Sequence, residues 1–169
     1  MFATFAIAVA SSYERRWKPV LTVPAYLRPY LPEEGYSETV VVLRRLIRQA
    51  RQRLLLAAPF MDDGIAALVP AIAAHVNNGG ECLLVTRDIV DTGDRVRNRK
   101  IVDELRKQVR RRDALRISWW GGDNLGIHLK VVIADNEAAY VGSANFTRAG
   151  RYTQKLWMTG CWLGRDVLS

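Results

Sequence analysis

The sequence predicts an α/β sandwich, a mixed and largely parallel sheet with helices on both faces. Three observations predict it. Short apolar runs of strand length alternate with segments of helical period, and the period switches to two only near the end of the chain. The 169 residues are 49% hydrophobic and 25% charged, enough for one sizeable core and too apolar for a disordered chain.

The opening run Met1 to Ala10 is apolar. It lacks the basic leading region of a signal peptide and falls far short of the ~20 apolar residues of a membrane span. Residues 1–36 read as an N-terminal extension in which Pro19 to Val23 suits a short edge strand, followed by a connection broken at Pro24, Pro29 and Pro32. Ser37 then stands where an N-cap belongs, before an amphipathic helix over 38–51 with Val40, Val41, Leu43, Leu46 and Ile47 as its apolar positions. Leu54 to Phe60 is a continuous apolar run, the mark of a strand buried on both faces, and Pro59 and Asp62-Asp63-Gly64 end it.

Helical spacing returns from Ile65 to Val76 and stops at Asn77-Asn78-Gly79-Gly80. A strand follows at Cys82 to Val85, then a helix from Val96 to Arg111 striped by Ile101, Val102, Leu105 and Val109, then a strand from Leu115 to Trp119. That order is two βαβ units. A hairpin closes the pattern: Ile127 to Ala134, a turn at Asp135-Asn136, and Glu137 to Val141.

Net charge is +8, from 25 Lys and Arg against 17 Asp and Glu, which favours a polyanionic partner without choosing between nucleic acid and anionic lipid. Cys82 and Cys161 lack the spacing of a zinc site or a disulfide framework and read as buried or incidental thiols. The cations between Arg95 and Arg112 can track a phosphate backbone or form a solvated face, since Asp103, Glu104 and Asp113 lie among them. Trp119 and Trp120 read as core packing, with stacking on bases or acyl chains as the alternative. Asp62 and Asp63 suit a plain turn that can border a cleft.

The residues that carry chemistry lie in and after the hairpin. In Ile127 to Asp135 the odd positions Ile127, Leu129, Val131 and Ile133 are apolar and are expected to build the core, leaving His128 and Lys130 together on the other face. The next strand runs into Gly142-Ser143-Ala144-Asn145, with Ser143 and Asn145 at i and i+2. A nucleophile, a fixed cation, a hydroxyl and an amide are the parts that phosphoryl transfer requires, and Lys130 supplies positive charge without a metal.

The pattern H-x-K-x4-D followed by x6-G-S-x-N resembles the phospholipase D superfamily motif with every spacing intact. The resemblance covers residues 37 to about 147. It implies a metal-independent, cofactor-free phosphodiesterase in which His128 attacks phosphorus, Lys130, Ser143 and Asn145 hold the phosphate, and Asp135 completes the catalytic motif by orienting the site. It also implies a second histidine to protonate the leaving oxygen. His75, the only other histidine, lacks the Lys and Asp context and reads as a helix residue. A homodimer pairing two copies of His128 and Lys130 is therefore expected, as in single-motif members of the superfamily.

The tail departs from the family pattern. An acidic residue usually follows G-S-x-N by about ten positions, yet Arg148 to Trp157 contains none. The domain, 37–169, is thus expected to be incomplete or frameshifted after about residue 150. Codons for Tyr152 to Gly164 read one nucleotide earlier can encode V-H-A-E-A-V-D-D-G-V-L-V-G, which restores an acidic segment and an alternating strand.

The expected activity is that of a nuclease, on DNA ahead of RNA, in the cytoplasm and without membrane attachment. Defence-associated antiphage members of the superfamily look similar at this level. Phospholipid hydrolysis or phosphatidyl transfer is the alternative enzyme reading, and a catalytically inactive polyanion-binding subunit the non-enzymatic one.

Overall fold

The structure, a computed structural model, describes residues 16–22, 37–87, 89, 96–120, 128–143, 145–146 and 158–164. In the parallel half of the sheet Arg53–Ala57 (β3) and Glu81–Arg87 (β4) pair parallel, and Leu115–Trp120 (β5) pairs parallel with β4. The other strands are Arg16–Thr22 (β1), Ser37–Glu38 (β2), Val131–Ala134 (β6), Ala138–Gly142 (β7) and Met158–Gly164 (β8). One sheet takes them in the order β2-β1-β8-β7-β6-β3-β4-β5. The pairings make β6 and β8 run against all the rest, so the sheet is mixed and largely parallel as expected.

The helices are Thr39–Gln49 (α1), Asp63–Ala66 (α2), Val69–Asn77 (α3) and Val96–Gln108 (α4). α1 packs on α3 and α3 on α4, so these helices make one layer against the sheet. Leu54, Leu56, Cys82, Leu84, Val132 and Ala134 point under that layer and are buried. Their alternates Leu55, Leu83, Val85, Val131 and Ile133 are only half-buried. This reverses the expected core face of the hairpin strand: Val132 and Ala134 are buried with Lys130, while Leu129 is 59% exposed. The even positions win because the helices cover their side of the sheet.

Four further expectations change. Ser37 does not cap α1, because Ser37 and Glu38 are extended and pair with Val20 and Leu21; Glu38 takes the cap position but its side chain makes no capping hydrogen bond. The helix expected over Ile65 to Val76 is split into α2 and α3, since Pro70 cannot donate inside a helix and instead sits at the start of the second one. The stretch expected as an edge strand belongs to β1, which lies between β2 and β8 and is tied to α1 by the 2.9 Å contact of the Thr22 and Thr39 hydroxyls. The tail, expected to be incomplete or frameshifted, contributes β8, which joins β7 to β1.

Side chains fix the ends opposite the motif. Asn77 accepts from Arg110 N at 2.8 Å and donates to Gln108 O at 3.0 Å, which ends α4 earlier than Arg111. His75 is buried, with Nδ1 3.0 Å from Ala50 O and Nε2 3.2 Å from Glu81 O. A Cβ at residue 80 would overlap the His75 ring. Gly80→Ala is therefore expected to cost about 2 kcal/mol in urea unfolding, and distinctly less in a His75→Ala background, because the two sites share one contact.

Candidate active site

The hairpin turn brings the two motif halves together. Val131 pairs with Val141, and Gly142 N donates to Lys130 O at 3.0 Å, so the residues before β6 and after β7 lie side by side at one end of the sheet. Phe146 bridges Met61, which draws the segment holding Asn145 toward the end of β3. His128, Lys130, Ser143 and Asn145 thus gather as the motif spacing predicts. His128 and Ser143 are exposed, and Asn145 is half-buried. The Asn145 Oδ1 is buried and meets no hydrogen-bond partner among the described residues, a polar atom that a ligand's donor can satisfy.

Lys130 is 3% exposed. Its Nζ lies 2.8 Å from His128 Nδ1 and 3.0 Å from Nε2, and donates to His128 O at 2.8 Å. An ammonium only donates and a neutral imidazole accepts at one nitrogen, so one ring contact at a time is a hydrogen bond. The charge of Lys130 lowers the His128 pKa, assisted by partial burial and by Arg87. Burial in turn lowers that of Lys130. The result suits a nucleophile, an imidazole kept neutral beside a cation.

Asp135 is not brought to this end. It lies at the far end of β6, where Asp135 and Asn136 form the turn with φ of 53° and 58°. Its carboxylate accepts from the N–H groups of Arg51, Gln52 and Arg53 at 2.6, 2.8 and 2.7 Å, so it fastens the α1–β3 connection to the hairpin. The catalytic place expected for it is corrected to a structural one: four strand residues separate it from Lys130. Desolvation opposes its charge, but the three backbone donors and the nearby His75 hold its carboxyl below the usual value. A cavity of about 250 Å³ lined by Leu55, Leu83, Ile133, Asp135 and Asn136 lies at that far end and belongs to neither His128 nor Lys130.

Other expectations resolve locally. Asp62 caps α2 by accepting from Gly64 N at 2.7 Å. Cys82 is a buried thiol whose pKa is pushed up to about 12 by desolvation, hence inert. On α4, Arg99 pairs with Asp103 and Lys107 with Glu104, as on a solvated face. Trp119 is 50% exposed, so it does not pack in the core; the Trp120 side chain, Cys161 and Arg148 to Trp157 supply no described side-chain geometry.

Sequence reasoning missed Arg87, Phe60 and Asn98. The Arg87 guanidinium carbon stands 5.6 Å from the centroid of Phe60. Buried Asn98 accepts from Met61 N at 2.7 Å and donates to Pro59 O at 2.9 Å and, more weakly, toward Arg87 O at 3.5 Å. The signal was available: loops after parallel strands build the ligand end of such sheets, and Phe60 closes one predicted strand while Arg87 lies two residues past the end of another.

The comparisons with known proteins bear on the family and the fold. The family model described as "Cardiolipin synthase, PLD-like domain" matches residues 43–155, and the chain belongs to that phospholipase D-like family. Nuc from Salmonella typhimurium, a phospholipase D family member, superposes with a TM-score of 0.58 at 19% identity, covering 90% of this chain and 84% of that one. NucT from Helicobacter pylori gives 0.56 at 17% identity, covering 88% and 86%. Phosphatidylserine synthase from Haemophilus influenzae gives 0.65 at 15% identity, over 90% of this chain and 35% of that one. At such identities the likeness establishes the fold. No curated protein sequence matches the chain.

Two outcomes follow. Lys130→Met should move the His128 titration, followed by imidazole NMR, to higher pH, because the charge that disfavours the imidazolium is gone. Asp135→Asn should lower stability by about 1–2 kcal/mol near neutral pH. A depressed carboxyl stabilises above its unfolded pKa and loses that contribution as pH falls through its folded value, so the deficit of the variant in denaturant melts should shrink in acid.

Proposed function

We propose that the chain is a metal-independent phosphodiesterase that cleaves nucleic acid, DNA ahead of RNA, through a phosphohistidine, with a second copy completing the site. The observation that carries this reading is the buried Lys130 ammonium set against both ring nitrogens of His128. A phosphate entering beside it offers the ammonium an anionic oxygen, which draws the donor off the imidazole and frees its lone pair. The neutral nitrogen then attacks phosphorus as the P–O bond to the leaving group breaks. Ser143 and Asn145 hold the remaining oxygens.

The leaving oxygen needs a proton that the nucleophilic His128 does not have. The His128 of a second copy supplies it in imidazolium form. That histidine, now neutral, takes a proton from water, whose oxygen attacks the phosphohistidine and releases a phosphomonoester and free His128. The net charge of +8 supports a nucleic acid substrate. Cytoplasmic action rests on the sequence alone; no described helix is long and apolar enough to cross a membrane. A defence role rests only on the small single-motif resemblance.

Phospholipid hydrolysis or phosphatidyl transfer is the second reading, favoured by exposed Leu129 beside His128 and by the description of the matching family model. An inactive polyanion-binding subunit is the third, favoured by the absence of an acidic residue from Arg148 to Trp157. Incubation of wild type and His128→Ala with labelled DNA, RNA and phospholipid in EDTA separates them. Nucleic acid cleavage by wild type alone is expected. Cleavage that EDTA abolishes or that survives in His128→Ala would refute the mechanism, and binding without cleavage would favour the third reading.

A further inference from the structure

Along the end of the sheet that holds His128, the strands β6, β3, β4 and β5 follow one another. Val131, Ala57, Val85 and Ser118 form one row across them. Beyond that row the chain places His128 before β6, Phe60 after β3, Arg87 at the end of β4 and Trp119 on β5, the last in register with Thr86. Strands are about 4.8 Å apart, so Arg87 stands roughly two spacings from the His128 strand and Trp119 roughly three, about 10 and 14 Å.

The row is built rather than scattered. Asn98 is 2% exposed, and its amide joins the backbone of Pro59 and Met61, on both sides of Phe60, to that of Arg87. Phe60 in turn backs the guanidinium. Arg87 is among the charges that lower the His128 pKa, after Lys130 and burial, so its charge reaches that ring. Trp119 offers half of its surface to solvent on the outermost strand.

We propose that Phe60, Arg87 and Trp119 form a track for single-stranded nucleic acid on one side of the scissile phosphate, Arg87 taking a backbone phosphate and Trp119 stacking on a base. This rests on the nucleic acid reading of the site and names its substrate as single-stranded. At about 3.4 Å per stacked nucleotide, the track accommodates roughly three to four nucleotides beyond His128. A base still paired in a duplex cannot present its face to an indole, whereas an unpaired base can. Asn98 is a positioning residue that holds the platform.

The test uses the full chain carrying His128→Ala, so that ligand is not consumed, with fluorescein-labelled oligothymidylate of about a dozen nucleotides and a duplex of the same length, followed by anisotropy across a salt series. Adding Trp119→Ala should weaken single-strand binding about tenfold and leave duplex binding within about twofold, while Trp119→Phe restores most of the loss. Arg87→Gln should weaken binding and flatten the plot of log affinity against log salt by about 0.7, the share of one phosphate on a single strand; Arg87→Lys should keep that slope. Unaltered affinity and slope in thermally intact variants would overturn the track, as would failure of the parent to bind single strands. Wild-type cleavage is scored separately. A track that binds strands the wild type leaves uncut retains this proposal and sinks the nuclease reading, and cleavage insensitive to these residues does the reverse.

Discussion

The contact of the Lys130 ammonium with the His128 imidazole is the constraint on which the site depends. A lysine that is 3% exposed would ordinarily be costly. Here it donates to the carbonyl of His128 and to one of that residue's ring nitrogens at a time, and its own carbonyl accepts from Gly142 N. The same few residues therefore satisfy a buried charge, keep an imidazole neutral and lock the start of β6 to the end of β7. Ser143 and Asn145 inherit their places from that lock.

The two ends of the sheet divide the work. At one end, Asp135 ties three backbone N–H groups of the α1–β3 connection, and His75 bridges Ala50 and Glu81. At the other, Asn98 ties the strand ends that carry Phe60 and Arg87. Rigid fastening at the far end sets the register of β3 against β6, and through it the approach of the β3 loop to His128. The motif aspartate thus acts at a distance from His128, by holding the strands that present it.

Much of this was legible in the sequence where local signals and tertiary demands agree. The βαβ alternation, the hairpin turn and the convergence of His128, Lys130, Ser143 and Asn145 follow from period, turn chemistry and motif spacing. What was not legible depended on distant partners. Alternation along 127–135 says that two faces differ, but only the helical layer decides which is buried, and it buries Lys130 while exposing Leu129. Ser37 has the chemistry of an N-cap, yet pairing with Val20 claims its backbone. Asp135 shares a motif with His128 but sits at the other end of a strand, a separation that spacing alone does not convert into a role. Arg87, Phe60 and Asn98 belong to no motif and become a unit only across three elements.

The central claim is that His128 is a nucleophile poised by Lys130. It is tested most directly by rapid acid-free quenching of wild type with a short oligonucleotide, followed by peptide mass analysis. The account predicts a transient nucleotidyl adduct, joined through a phosphorus–nitrogen bond, on the peptide containing His128, absent in His128→Ala and depleted in Lys130→Met. Product formation at full rate with no adduct on that peptide, or an adduct on another residue, would contradict it.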